Sequence, residues 1–270
     1  MSPKRSASQL RPAGRFNRAR LAHILGRVRR TRLAQFISRF QRINWSPMAA
    51  AGLILFVVGI PATARTALVQ AIAAQPFVAG MLLTFGLLAL SLLFAGGQRV
   101  DAWVFLYFNF RGRRPLWLDR AMLGFTQLGS AFAPLFLGIY LLVSGRTGLA
   151  YELLLGSLAL ALTVELAKII FRRSRPFVRV AQTRVVGYRA RGRSFPSGHT
   201  SQAFYLAALL AVHFHLELGA AVILYVLAGL VAVTRMYLGA HYPRDVLAGA
   251  ILGSVWGLLG VVMDANLVLK

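Results

Sequence analysis

Three short stretches carry residue types that could do chemistry together. "KIIFRRSRP" (Lys168–Pro176) puts one lysine and three arginines at the end of an apolar run. "FPSGHT" holds Ser197, Gly198 and His199 just before another apolar run. "TRMYLGAHYPRD" carries Thr234, Arg235, His241 and Asp245 between two more. Lys168, Arg175 and Arg235 have the donor chemistry for a phosphate-like anion, arginine as a planar fork and lysine as a point charge. A helix opening at "PSGH" would aim backbone N–H groups and its dipole at the same anion. Gly198 would let the backbone approach it closely. His199 and His241 can serve as nucleophile or proton donor near neutral pH. Asp245 follows His241 by four residues, one turn if the segment is helical. Its carboxylate would then accept a hydrogen bond from one ring nitrogen and leave the other free to attack. The chain has 28 arginines and three lysines; Lys4 and Lys270 are terminal, so Lys168 is the one lysine in the body.

The elements that must position these residues are membrane helices. Of 270 residues, 57% are hydrophobic and 14% charged, with a mean hydropathy of +0.63. Soluble domains carry about 25% charged residues. Roughly 20 apolar residues cross a bilayer core. Such runs lie at about 77–95, 120–143, 149–171, 197–217 and 219–237, with a sixth at 245–266. The stretch 48–72 is apolar up to Ile60, then meets Pro61 and Arg65. It reads as a further span, a kinked one, or a re-entrant or surface segment. The expected fold is all-α: a polytopic bundle of six to seven transmembrane helices with a basic N-terminal tail.

The formal net charge is +24, from 31 basic and 7 acidic residues. Residues 1–45 contain Lys4, eleven arginines and no acid. Within them, Phe16–Trp45 spaces apolar residues helically among arginines, which predicts an amphipathic helix on an anionic membrane surface. Three segments follow: the tail 1–45, partly amphipathic helix; 46–118, membrane segments and a surface helix; and the core helices 119–270. Such a charge also raises nucleic-acid binding, but no recognised module is present and the basic residues are spread over loops. No nucleic-acid partner is expected. The chain has no cysteine. His213 and His215 read as interfacial polar residues, and no third ligand accompanies them, so neither metal nor cofactor is expected.

Consecutive spans run antiparallel. The C-terminal ends of 149–171 and 219–237 and the N-terminal ends of 197–217 and 245–266 therefore share one face. Lys168, Arg175, Ser197, Gly198, His199, Thr234, Arg235, His241 and Asp245 all fall there. Ionisable residues at membrane depth are costly and are functional candidates by default. Taken singly, each has a plainer use: Lys168 could pair with Glu165, Arg175 and Arg235 could set topology, and Asp245 could complement a helix dipole.

The three stretches resemble the signature of the type 2 phosphatidic acid phosphatase superfamily: K-x6-RP, then PSGH, then SR-x5-H-x3-D. Every spacing matches, and the one departure is Thr234 where the family has serine. The resemblance implies a metal-independent enzyme of the bacterial inner (plasma) membrane. It would remove phosphate from a polyprenyl diphosphate, phosphatidate or phosphatidylglycerophosphate. His241 would attack phosphorus to form a phosphohistidine, Asp245 would support it, and His199 would protonate the leaving oxygen. Lys168, Arg175, Ser197, Gly198 and Arg235 would hold the phosphate, and Thr234 would lend a hydroxyl. The alternatives are a lipid phosphotransferase and a non-catalytic lipid-binding or transport protein on the same fold. The expected partners are the lipid phosphate and anionic headgroups at the tail.

Overall fold

A computed structural model of the chain describes Gly59 and residues 61–109 and 114–268. The amphipathic helix expected over Phe16–Trp45 and most of 48–60 lie outside the described residues. All regular structure among the described residues is helical. Helix α1 spans Ala62–Ala74, directly after Pro61, whose fixed φ suits a helix start. Helices α2 (Pro76–Ser91) and α3 (Ala95–Asn109) meet at 99°. Helix α4 (Leu116–Phe125) runs through a 3-10 turn, Thr126–Gly129, into α5 (Phe132–Val143), with a bend of 54°. Helices α6 (Thr147–Phe171), α7 (Gly198–His213), α8 (Leu218–Tyr237) and α9 (Pro243–Val268) complete the order.

Two described helices are individually long and apolar enough to cross a bilayer: α6 with the helical turn that follows it, and α8. Counting each bent pair, α2–α3 and α4–α5, as one span gives up to four. The expected six to seven is not reached on these criteria, for physical reasons. Helix α7 has 16 residues, about 24 Å against a hydrocarbon core of about 30 Å. The run expected over 77–95 ends its helix at Ser91 and turns into α3.

The core is built between α5, α6, α7 and α9. Leu141, Leu149, Leu153, Leu160, Val164, Tyr205, Leu209 and Leu252 form one buried cluster. A second joins α7 to α8 through Ala203, Ala207, Ala228 and Val231. Helix α9 presents glycines to α7 at four-residue spacing. A methyl on Gly249 would stand 2.7 Å from the Ser197 carbonyl oxygen, and one on Gly257 2.7 Å from the Ala208 methyl. Small residues let the two backbones approach closely, a common device between membrane helices. The outward faces of α6 and α8 are apolar: Leu155, Leu158, Ile223 and Val226 are all exposed. Such surfaces suit lipid rather than water.

Candidate active site

The residues at the ends of α6, α7, α8 and α9 come together. Lys168 lies in the last turn of α6. The chain then leaves through Arg172 in the left-handed region (φ 47°) to Arg175, which precedes the helical turn Pro176–Arg179. Ser197 stands at the N-cap of α7. Thr234 and Arg235 lie in the last turn of α8, and Asp245 in the first turn of α9. His241 sits in the five-residue link between α8 and α9. That link turns at Gly239 (φ 80°), where a Cβ would stand 2.5 Å from the Arg184 carbonyl oxygen. Only glycine meets both demands there.

The hydrogen bonds of His241 assign its tautomer. Nδ1 lies 2.8 Å from the Ser194 carbonyl oxygen. A carbonyl only accepts, so Nδ1 carries the proton and Nε2 keeps its lone pair. Arg175 Nη1 then donates to Nε2 at 3.1 Å. Burial holds the imidazole well below its usual pKa, and the cations Arg175, Arg235 and Lys168 push the same way. The bond to Ser194 opposes them and loses. The neutral ring is thus the favoured form, with its free lone pair towards the cations.

Asp245 does not make the expected bond. Its Oδ2 is 3.6 Å from Nδ1, beyond hydrogen-bond reach. Residues 238–242 form a turn rather than a helix, so the one-turn geometry is absent. The wholly buried carboxylate accepts instead from the Tyr242 N–H (2.9 Å) and from Arg173 Nη1 (2.6 Å).

The cations are held differently. Arg175 donates from Nε to Gly192 O (3.2 Å), from Nη1 to Ala240 O (3.0 Å) and from Nη2 to Arg191 O (3.0 Å). It therefore ties the α6–α7 loop to the His241 link. Arg235 Nη1 donates to Thr126 Oγ1 at 2.8 Å, while its buried Nε has no partner among the described residues. Lys168 Nζ pairs with Glu165 at 2.6 Å, so the plainer expectation for it holds too. The same Nζ lies 3.9 Å from where a Cβ on Gly198 would stand, which places the ammonium at the start of α7. No side-chain oxygen caps that helix: Ser197 Oγ bonds Thr200 Oγ1 (2.9 Å), and the Ser197 N–H donates to Asp245 O (3.0 Å). Half-buried His199 lies within the fields of Arg235, His241, Lys168 and Arg175. Thr234 stands apart. Its hydroxyl donates back to Val231 O at 2.6 Å, so it is spent within its own helix.

Sequence reasoning missed the supports. Arg173 is buried, bonds both Asp245 and Asp101, and lies 4.3 Å from the Tyr242 ring centre. Arg184 bonds Asp119, which also accepts from the Tyr237 hydroxyl (2.6 Å). A usable signal was scarcity. With 7 acids against 31 bases, every acid is a candidate partner, and Asp101, Asp119, Glu165 and Asp245 are all engaged with cations near this end. Ser194 acts through its backbone, which no side-chain pattern announces. A cleft of about 900 Å³ lies beyond Arg173 and Tyr242, which form part of its wall. Phe85, Leu93, Ile170 and Phe171 line it with Arg172 and Arg179; neither His199 nor His241 does.

Residues 150–268 match the profile of the PAP2 superfamily. The solved structure of the transmembrane PAP2 type phosphatidylglycerolphosphate phosphatase from Bacillus subtilis is similar, with a TM-score of 0.60 and 26% identity, covering 70% of this chain and 96% of that one. The structure of Aquifex aeolicus LpxE gives a TM-score of 0.53 at 30% identity, covering 60% of this chain and 94% of that one. A lipid A 4'-phosphatase of Bacteroides thetaiotaomicron is 41% identical over 76 residues, 28% of this chain. The match spans 33% of that relative's own length.

Proposed function

The chain belongs to the PAP2 superfamily, and from that membership and the site geometry we propose that it is an integral-membrane phosphohydrolase acting on a lipid phosphate or diphosphate. One observation carries the reading. The neutral His241 turns an unprotonated Nε2 towards Arg175, within the charge field of Arg235 and Lys168. A phosphate entering there would meet a nucleophile and its countercharges together.

In this mechanism the phosphate takes over the Arg175 N–H that now points at Nε2, and the unpaired Arg235 Nε and Lys168 Nζ donate to its other oxygens. The backbone N–H groups opening α7, at Gly198 and His199, complete the cradle. His241 Nε2 attacks phosphorus, and the bond to the leaving oxygen breaks as His199, protonated once the bound phosphate offsets the cations around it, gives that oxygen a proton. The phosphohistidine carries positive charge on the ring. Ser194 O holds its Nδ1–H, and the Asp245 carboxylate stabilises the charge from 3.6 Å. Water then cleaves the P–N bond and restores both histidines. All of the groups named are protein side chains or backbone, so the reading needs no metal.

The bilayer setting follows the same reading. It takes α2, the α4–α5 pair, α6, α7, α8 and α9 as six passes through the bacterial inner membrane, with α1 part of a seventh; α2 and α7, at 16 residues each, are accommodated by local thinning of the bilayer. Candidate substrates are phosphatidylglycerophosphate, phosphatidate, a polyprenyl diphosphate and lipid A, the last suggested by the Bacteroides relative. The exposed apolar faces of α6 and α8 favour a substrate delivered from the bilayer over a soluble phosphate ester. The test is phosphate release from these four lipids by purified protein in detergent, beside His241→Ala. Release from at least one, lost in the variant, is expected. Release from none, or equal release by the variant, refutes the reading.

A further inference from the structure

Helix α3 crosses α2 at 99° and buries three residues at four-residue spacing: Asp101, Phe105 and Asn109. Its other face exposes Val100, Trp103 and Tyr107. Each buried residue grips the segment around His241. Asn109 Nδ2 donates to Tyr237 O at 2.9 Å and to Arg184 O at 2.8 Å. The Phe105 ring meets the Tyr242 ring edge-on at 5.7 Å. Asp101 accepts from the Arg244 N–H (3.2 Å), from Arg244 Nε (2.7 Å) and from Arg173.

We propose that Asp101 is a positioning residue for the reaction at His241, acting through Arg173 on Asp245. The inference rests on the phosphohydrolase reading. The Arg173 guanidinium is shared: Nη2 bonds Asp101 and Nη1 bonds Asp245 Oδ1. Two carboxylates on separate helices, with Gln98 Oε1 (3.0 Å) beside Asp101, fix its plane, and Asp101 alone of the two groups on Nη2 carries countercharge. Asp245 Oδ2 thereby stays turned to the Tyr242 N–H and to the His241 ring. The charge argument runs the same way. Asp101 takes up part of the Arg173 charge, which leaves more of the Asp245 charge for the cationic ring of the phosphohistidine. Without Asp101, Nη2 keeps only the neutral Gln98 Oε1 (3.0 Å), and the Arg173 charge falls on Asp245. The damage should appear in the chemical step and not in substrate capture, because neither Asp101 nor Arg173 belongs to the phosphate cradle.

The test compares the full-length wild type, Asp101→Asn, Asp245→Asn and the double variant in detergent, with kcat and KM for phosphate release from a lipid phosphate and a thermal midpoint for each. Asp101→Asn should lower kcat by about tenfold to a hundredfold, the loss seen when outer partners of metal-bound histidines are removed and taken here by analogy, with KM nearly unchanged. Added to Asp245→Asn, it should cost almost nothing more, because the two act as one unit. A purely structural role would instead lower the midpoint and multiply the two losses. Full kcat in Asp101→Asn, or multiplied losses in the double variant, overturns the proposal. If Asp101→Asn does not fold, Asp101→Glu replaces it. A carboxylate displaced by one methylene must lower kcat in the wild-type background and add nothing beside Asp245→Asn, and full kcat there overturns the proposal. An inactive wild type, or an active His241→Ala, defeats the phosphohydrolase reading itself, and the inference with it.

Discussion

Replacing Arg175 by lysine separates two jobs that the arginine holds at once. The charge stays, so attraction for a phosphate survives. The fork does not: three donor nitrogens now reach Gly192 O, Ala240 O and Arg191 O, and one also reaches His241 Nε2. A single ammonium cannot span those directions. Gly192 and Arg191 are exposed, and water can satisfy their carbonyls. The bond to Ala240 is buried, and an orphaned buried carbonyl costs about 1–3 kcal/mol. That cost falls on folding and should appear in the thermal midpoint; the transition state itself loses a forked N–H to the phosphate, a charge-assisted bond worth about 1.5–3 kcal/mol, or roughly tenfold to a hundred-and-fifty-fold in kcat/KM. The assay is phosphate release from a short-chain lipid phosphate in micelles, beside a thermal midpoint for folding. A variant within about threefold of wild type would refute the reasoning, since charge alone would then suffice.

Other outcomes follow from the same geometry. His199→Gln should lower kcat about a hundredfold or more on a lipid phosphate, but far less on p-nitrophenyl phosphate, whose leaving group needs no proton; equal losses would remove His199 from that role. The folded His241 binds its proton less readily than the unfolded chain does. As pH falls below about 6.5 the unfolded state is protonated first and stability drops, by up to about 1.4 kcal/mol at pH 5.5. Chemical denaturation in detergent should show this slope in wild type and a shallower one in His241→Gln. Gly253→Ala would press a methyl on the Ser201 carbonyl and force α7 from α9. It should cost about 1–3 kcal/mol, read as a lowered thermal midpoint, and an unchanged midpoint would contradict the close packing.

Much of the site was legible because its chemistry lies in side chains at helix ends. The spacing of Lys168, Arg175, His199, Arg235, His241 and Asp245 named both the face and the cations. What sequence could not supply was backbone. Ser194 O takes the hydrogen bond assigned to Asp245, because residues 238–242 turn instead of coiling. Thr234 carries the right hydroxyl but turns it to its own helix. Arg173 looked like one more loop charge, and only the fold brings Asp101, 72 residues away, to meet it. The spans were legible as apolar runs, but their breaks were not. Hydropathy does not register the 99° corner after Ser91 or the 3-10 turn at Thr126.

The central claim is that His241 forms a bond to phosphorus. The most direct measurement is an acid-free quench of the purified enzyme during turnover of a 32P-labelled lipid phosphate, followed by peptide mapping of the label. The account predicts an acid-labile, base-stable phosphoryl group on the peptide containing His241, absent in His241→Ala and more abundant when its breakdown is slowed. Turnover with no label on the protein, or label on another residue, would contradict it.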